Sequence, residues 1–131
     1  MFEPILVRFE TIPIMKSLEL AIESLSLGIA VMRMPYRQRY DGVYASLHGG
    51  LMMTLADTTA CAAVLTQAGG TARVTTTDMS IRFLAPCRSD CSAEARVIKF
   101  GRTLVPLEVS LRDSAGVLCA VAQVTYMRLG E

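Results

Sequence analysis

Apolar residues in the first third of the chain change from a helical to a strand-like spacing. Residues 14–25 carry leucine and isoleucine at intervals of three and four, which predicts a short amphipathic helix. Residues 27–34 alternate in the manner of a strand, and Pro35 stops that pattern. Residues 36–47 are polar and aromatic and are predicted to form a loop.

The longest apolar stretch, residues 51–67, reads LMMTLADTTACAAVLTQ and contains neither proline nor glycine. Its Leu, Met and Ala content favours a helix, about 25 Å long at about 1.5 Å per residue. Asp57 is its only ionisable carboxylate, so the helix has no charged face and is expected to be buried on most sides. Gly49 and Gly50 permit a sharp turn before the helix, and two more glycines end it.

Four further segments have the composition and the flanking turn signals of β-strands. They are residues 72–84, 92–100, 103–112 and 117–128. Short connections around Gly101 and at residues 113–116 indicate hairpins, and therefore an antiparallel meander. A curved sheet that wraps the apolar helix would bury it, which predicts one α+β domain over residues 1–131. Oligomerisation over the helix is an open alternative.

Bulk composition narrows the classes of function. The 131 residues suit one domain, the net charge is +1, and Lys and Arg are scattered rather than gathered in the basic stripe of a nucleic-acid binder. No apolar run approaches the ~18–20 residues of a membrane span, so we expect neither nucleic acid nor membrane as a partner. Glu3, Arg8 and Glu10 make the N-terminus a poor signal peptide, which predicts a cytoplasmic protein.

The cysteines do not form a recognisable metal motif. Cys61 and Cys119 lie in apolar runs and are interpreted as small buried residues. Cys87 and Cys91 are four residues apart, but no second pair or histidine cluster accompanies them, since His48 is the only histidine. We therefore expect reduced thiols, no metal site and no organic cofactor.

Asp57 is the residue that most needs an explanation, because burying an ionised carboxylate costs several kcal/mol. It either faces a solvated end of the structure or caps a neighbouring loop, or it forms the floor of an acyl cleft as a functional carboxylate. Gly49 and Gly50 are expected at the helix N-terminus, where free N–H groups favour negative charge. Two helical turns separate them from Asp57, so a carbonyl oxygen could lie on the glycine N–H groups while Asp57 or its water approaches the carbon. This arrangement suits acyl transfer.

Two other polar residues receive structural interpretations. His48 could belong to a nucleophile pair, but no serine or cysteine stands in an elbow-like motif, and we favour a role in orienting the turn by hydrogen bonding. Asp78 falls on a strand face with Thr76 and Arg82, opposite an apolar face. We therefore expect Asp78 on an exposed face or an interface.

The run His48-Gly49-Gly50, followed by Leu-Ala-Asp57, resembles the HGG…D signature of the PaaI-like (phenylacetate-degradation-type) hotdog acyl-CoA thioesterases. The runs FLAP, GRT and DSAG follow in the order found in that family, and the resemblance covers residues 28–128. It implies a hotdog fold, in which a curved antiparallel sheet wraps a long central helix. A short N-terminal helix is expected before it. It also implies a homodimer or a homotetramer built as a dimer of dimers, with the active site between subunits.

The resemblance assigns roles to individual residues. It implies that Asp57 is the general base or nucleophile in hydrolysis of an acyl-CoA thioester, and that the N–H of Gly49 or Gly50 polarises the thioester carbonyl. Thr76 falls near a serine that helps some relatives to hold water. Many relatives have an asparagine before HGG, where this chain has Asp41 or Gly42, and an aspartate cannot donate an amide hydrogen bond.

Other functions and contacts stay open. One alternative is a non-catalytic acyl-CoA-binding hotdog protein, and another is a hotdog dehydratase that acts on hydroxyacyl thioesters. Arg82, Arg88 and Arg102 are candidate phosphate contacts for the substrate.

Overall fold

The structure is a computed structural model that describes residues 1–130. A long helix, α3, spans Gly49–Ala68, and two short helices, α1 (Glu3–Glu10) and α2 (Pro13–Ser17), precede it. A short 3-10 helix covers Gln38–Tyr40. The six strands are β1 (Ala21–Ser26), β2 (Ile29–Met34), β3 (Val74–Phe83), β4 (Cys91–Val97), β5 (Leu104–Arg112) and β6 (Leu118–Arg128).

All six strands join one antiparallel sheet in the order β1-β2-β4-β5-β6-β3. The sheet curves around α3, which packs against every strand. Small side chains on the facing surfaces, such as Ala60 and Ala63 of α3 and Ala93 and Ala95 of β4, are fully buried and let the helix approach the sheet closely. β1 and β3 form the two edges of the sheet, so one long side of β3 has no partner strand within residues 1–130.

The four strands predicted after the long helix are confirmed as β3 to β6, with ends that shift by a few residues. The strand predicted at residues 27–34 is confirmed as β2. An antiparallel arrangement, with hairpins between β4 and β5 and between β5 and β6, is also confirmed.

The helix predicted at residues 14–25 is wrong beyond Ser17. Glu19 adopts a positive φ of 56° that ends the helical turn, and from Ala21 the chain becomes β1. The reason lies in the tertiary structure. Pairing with β2 satisfies the backbone hydrogen bonds of this segment, and this stabilisation outweighs the helical pattern, which rested on only three apolar residues. The N-terminal helix lies earlier, as α1, where Ile5 and Phe9 sit four residues apart and both enter the core.

The expectation that no apolar segment reaches the length of a membrane span is also wrong. By length and composition α3 could cross a bilayer, since it has 20 residues and most of them are apolar. The sheet explains this composition, because a helix wrapped by its own domain must be apolar nearly all round. Fully buried residues such as Leu55, Ala62 and Val64 lie on this helix.

Candidate active site

Asp57 lies midway along α3, half-buried, on the side that faces β3 and β6. Its Oδ1 atom accepts a hydrogen bond from the Thr76 hydroxyl at 2.7 Å. The Tyr126 hydroxyl lies 2.9 Å from the same Oδ1 atom and 2.9 Å from the backbone carbonyl oxygen of Asp57. Oδ2 has no hydrogen-bond partner among residues 1–130. One oxygen of the carboxylate is therefore held in place, and the other is free to contact water or a substrate.

A β-bulge brings Thr76 to this carboxylate. The register between β3 and β6 slips between Thr76 and Asp78, so Thr77 is an extra residue and the in–out alternation reverses there. The prediction that Thr76 shares a face with Asp78 and Arg82 is therefore wrong: Thr76 faces α3, whereas Asp78 and Arg82 are exposed. The exposed position predicted for Asp78 is confirmed.

Tyr126 is a site residue that sequence reasoning missed. It lies directly opposite Thr76 on β6 and is only 4% exposed. Burial raises the pKa of the Tyr126 phenol, and the neighbouring Cys61 thiol and Asp57 carboxylate raise it further, so the hydroxyl stays protonated and can donate. The signal available in the sequence was a tyrosine on the inward face of an otherwise apolar strand, since a buried hydroxyl needs a hydrogen-bond partner.

His48 caps the N-terminus of α3. Its Nδ1 atom accepts a hydrogen bond from the Gly50 N–H at 2.9 Å, which places the ring proton of the neutral imidazole on Nε2. This contact occupies the Gly50 N–H, so Gly50 is not available as an oxyanion donor in this arrangement. The Gly49 N–H, by contrast, has no acceptor among residues 1–130. Of the two glycines, only Gly49 presents a free donor.

Gly49 lines a cleft of about 390 Å³. Phe83, Leu84, Pro86 and Cys87 line it together with Gly49. A Cβ atom at Gly49 would lie only 2.9 Å from Cζ of Phe83, so the ring packs where a side chain would otherwise stand. Glycine at this position therefore leaves room both for Phe83 and for a ligand group to approach the backbone.

The other predicted substrate contacts, Asp41, Arg82 and Arg102, make no hydrogen bond to Gly49 or Asp57 among residues 1–130. Asp41 directs both carboxylate oxygens at the Tyr36 hydroxyl, at 2.8 and 2.9 Å, and this contact fixes the loop before His48. Arg82 lies near one end of β3, and Arg102 lies in the β4–β5 turn at the opposite end of the sheet. β3 has ten residues, so these ends are about 30 Å apart at about 3.3 Å per residue. The two arginines of one chain therefore cannot hold the same phosphate group.

Three cysteines, Cys87 of the cleft wall and Cys91 and Cys119, are buried free thiols. The Cys87 thiol contacts the backbone carbonyl of Ser89 at 3.4 Å, and the neighbouring Cys91 thiol lowers the pKa of Cys87. The backbone carbonyl of Cys87 also accepts the Leu47 N–H at 2.8 Å, next to the cap of α3. Within the described part of the chain, no three His, Cys, Asp or Glu side chains are grouped so as to hold a metal ion.

Gly49 and Asp57 are separated along the same helix. They are eight residues apart in α3, which corresponds to about 12 Å along the helix axis. A carbonyl bond is only about 1.2 Å long. The carboxylate of Asp57 therefore cannot directly attack a carbonyl that the Gly49 N–H of the same chain holds, which excludes one of the two routes expected from their spacing in the sequence.

The sequence of this chain is similar to those of known proteins. Residues 44–120 match the family model described as the thioesterase superfamily. A Saccharolobus solfataricus protein named as an esterase is 32% identical over 110 residues, which is 83% of this chain and 78% of that protein. Human acyl-coenzyme A thioesterase 13 is 29% identical over 99 residues, which is 74% of this chain and 70% of that protein.

Two solved structures share the fold over almost the whole chain. The E. coli PaaI protein from the phenylacetic acid degradation operon has a TM-score of 0.90 and 23% identity, covering 98% of this chain and 92% of that chain. A thioesterase family protein from Silicibacter pomeroyi has a TM-score of 0.92 and 26% identity, covering 98% of both chains. The hotdog fold that the resemblance implied is confirmed.

Proposed function

Because the chain belongs to the thioesterase superfamily, we propose that it hydrolyses acyl-CoA thioesters with Asp57 as the reactive carboxylate and the Gly49 N–H as the oxyanion donor. The observation that carries this proposal is the state of Asp57, whose Oδ1 is held by two hydroxyls while Oδ2 is free. The thioester of coenzyme A is the substrate class in the name of the human relative.

The chemistry needs one base or nucleophile and one donor for the developing negative charge. As a base, Oδ2 of Asp57 takes a proton from water while the hydroxide oxygen bonds to the thioester carbon. The carbonyl oxygen becomes an oxyanion and is stabilised by the Gly49 N–H at the positive end of α3. The carbon–sulfur bond then breaks, and the CoA thiolate leaves and takes the proton. As a nucleophile, Oδ2 instead bonds to the carbon, the carbon–sulfur bond breaks and the CoA thiolate leaves as the mixed anhydride forms. Water then adds to the acyl carbon of the anhydride, the bond to Oδ2 breaks to restore the Asp57 carboxylate, and the thiolate takes the proton that the water releases.

The two groups meet if two copies of the chain pair through β3, the unpartnered edge of the sheet. Asp57 contacts Thr76 near one end of β3, and Gly49 lies beside Phe83 at the other end. Antiparallel pairing about a two-fold axis near Met79 sets Thr76 opposite the partner subunit's Phe83. Asp57 of one copy then approaches the partner subunit's Gly49. Such pairing also covers a ten-residue edge strand that would otherwise be open to association.

A heterodimer tests this arrangement. One chain carries Asp57→Asn and the other carries Gly49→Pro, each with a different affinity tag, so that tandem purification isolates the mixed dimer. If the site is shared, the unchanged Asp57 of the Gly49→Pro chain meets the unchanged Gly49 of the Asp57→Asn chain. One of the two sites of the dimer is then intact. We expect about half of the wild-type activity per dimer, while each variant alone is nearly inactive.

Two outcomes would count against this arrangement. A heterodimer as inactive as its parents would place each site within one chain. An active monomer in light scattering at micromolar concentration would remove the need for a partner. A co-expressed pair of differently tagged Asp57→Asn chains is the control, because it forms the same dimer without an intact site.

Hydrolysis by this mechanism should not need a metal ion. The water is activated by a carboxylate, so turnover of an acyl-CoA panel, followed by release of free thiol, should be unchanged after dialysis against EDTA. The panel should extend from short aliphatic to aromatic acyl groups, since it also reports the preferred acyl chain. Loss of turnover on chelation that added Zn²⁺ or Mg²⁺ restores would contradict the prediction.

A further inference from the structure

Asp57 needs a fixed orientation if only one of its oxygens is to react. Its side chain is half-buried and could rotate, and both oxygens would then exchange places. Two hydroxyls prevent this rotation: that of Thr76 at 2.7 Å and that of Tyr126 at 2.9 Å, both on Oδ1. These residues are opposite each other on neighbouring strands, so the sheet holds them as a pair.

The Tyr126 hydroxyl is further constrained by its surroundings. It lies within hydrogen-bonding distance of the backbone carbonyl of Asp57 as well as of the carboxylate. These contacts hold this turn of α3 in position relative to β6. Burial raises the pKa of the phenol, which keeps its proton on the oxygen and keeps it a donor. Among residues 1–130, no second buried tyrosine contacts a carboxylate of α3.

We propose that Tyr126 is a positioning residue that, together with Thr76, holds Oδ1 of Asp57 and so directs Oδ2 at the thioester carbon. The inference rests on the proposed function of Asp57. A shift of the reacting atom by about 1 Å can cost about 10²-fold in rate. The ring of Tyr126 provides packing, and only its hydroxyl has the positioning role.

The test is Tyr126→Phe, which keeps the ring and removes the donor. We expect kcat to fall about 10- to 100-fold, the range for loss of a hydrogen bond to a charged group, with KM changed less than kcat. Tyr40→Phe is the matched control: Tyr40 is also buried, but its hydroxyl makes only contacts of 3.4 Å, away from Asp57.

The decisive measurement is the same change in an Asp57→Asn background. A positioning residue has nothing to position there, so adding Tyr126→Phe should leave the residual turnover unchanged. An equal fall in both backgrounds would show a merely structural role and overturn the inference. Wild-type kcat in Tyr126→Phe would also overturn it. In that case, an inactive Asp57→Asn variant would still support the proposed function. Full activity in Asp57→Asn alone would remove both.

Discussion

Replacing Asp57 by asparagine should lower kcat/KM by about 10²–10⁴-fold, the range for loss of a general base. The side chains have nearly the same shape, and the asparagine carbonyl oxygen can accept the same two hydroxyls of Thr76 and Tyr126. An NH₂ group then occupies the position of Oδ2. It donates instead of accepting, and it can neither take a proton from water nor attack a carbonyl carbon.

The fold should tolerate this change, so the melting temperature of Asp57→Asn should stay close to that of the wild type. Glu108→Gln is the matched control, because it neutralises an exposed carboxylate in β5 on the outer face of the sheet. It should keep wild-type turnover. A folded Asp57→Asn protein that hydrolyses acyl-CoA at the wild-type rate would show that Asp57 is not the reactive group.

Replacing Gly49 by proline should lower turnover about 10²–10³-fold relative to Gly49→Ala, the usual cost of one oxyanion donor. Both substitutions add a Cβ atom that pushes on Phe83, whose half-exposed ring has room to move. Only proline removes the N–H. Gly49 is the first residue of α3, where proline is well tolerated, and its φ is not positive, so neither variant is strained by the backbone.

The comparison of the two variants separates the donor from the space around it. Turnover per folded subunit and the melting temperature are measured on the same preparation. If Gly49→Ala and Gly49→Pro are equally active, the N–H does not stabilise the oxyanion. If alanine alone already reduces turnover to the proline level, the free space beside Phe83 is what the reaction requires.

The central helix and the strands that follow it could be predicted from the sequence because their signals are local. An apolar run without glycine or proline specifies α3, and glycine-containing turns delimit the hairpins. The N-terminal segment could not be assigned in this way. Residues 21–26 have a composition compatible with helix or strand, and their state depends on the neighbouring β2, which no local pattern reports.

The candidate site depended on details of register that the sequence does not display. Alternation predicts the wrong face for Thr76, because a bulge at Thr77 leaves no mark in the residue types. The contact between Tyr126 and Asp57 joins residues 69 positions apart. The loss of Gly50 as a donor follows from the rotamer of His48, which is a property of the folded cap.

The separation of Gly49 and Asp57 by eight positions along α3 has a genetic consequence. In a dimer with shared sites, each α3 contributes the donor of one site and the carboxylate of the other. Each chain therefore supplies one essential group to both active sites. A chain with only one of these residues changed spoils one site of a mixed dimer. A chain that lacks both spoils both, and it would therefore behave as a dominant inhibitor of the normal copies with which it assembles.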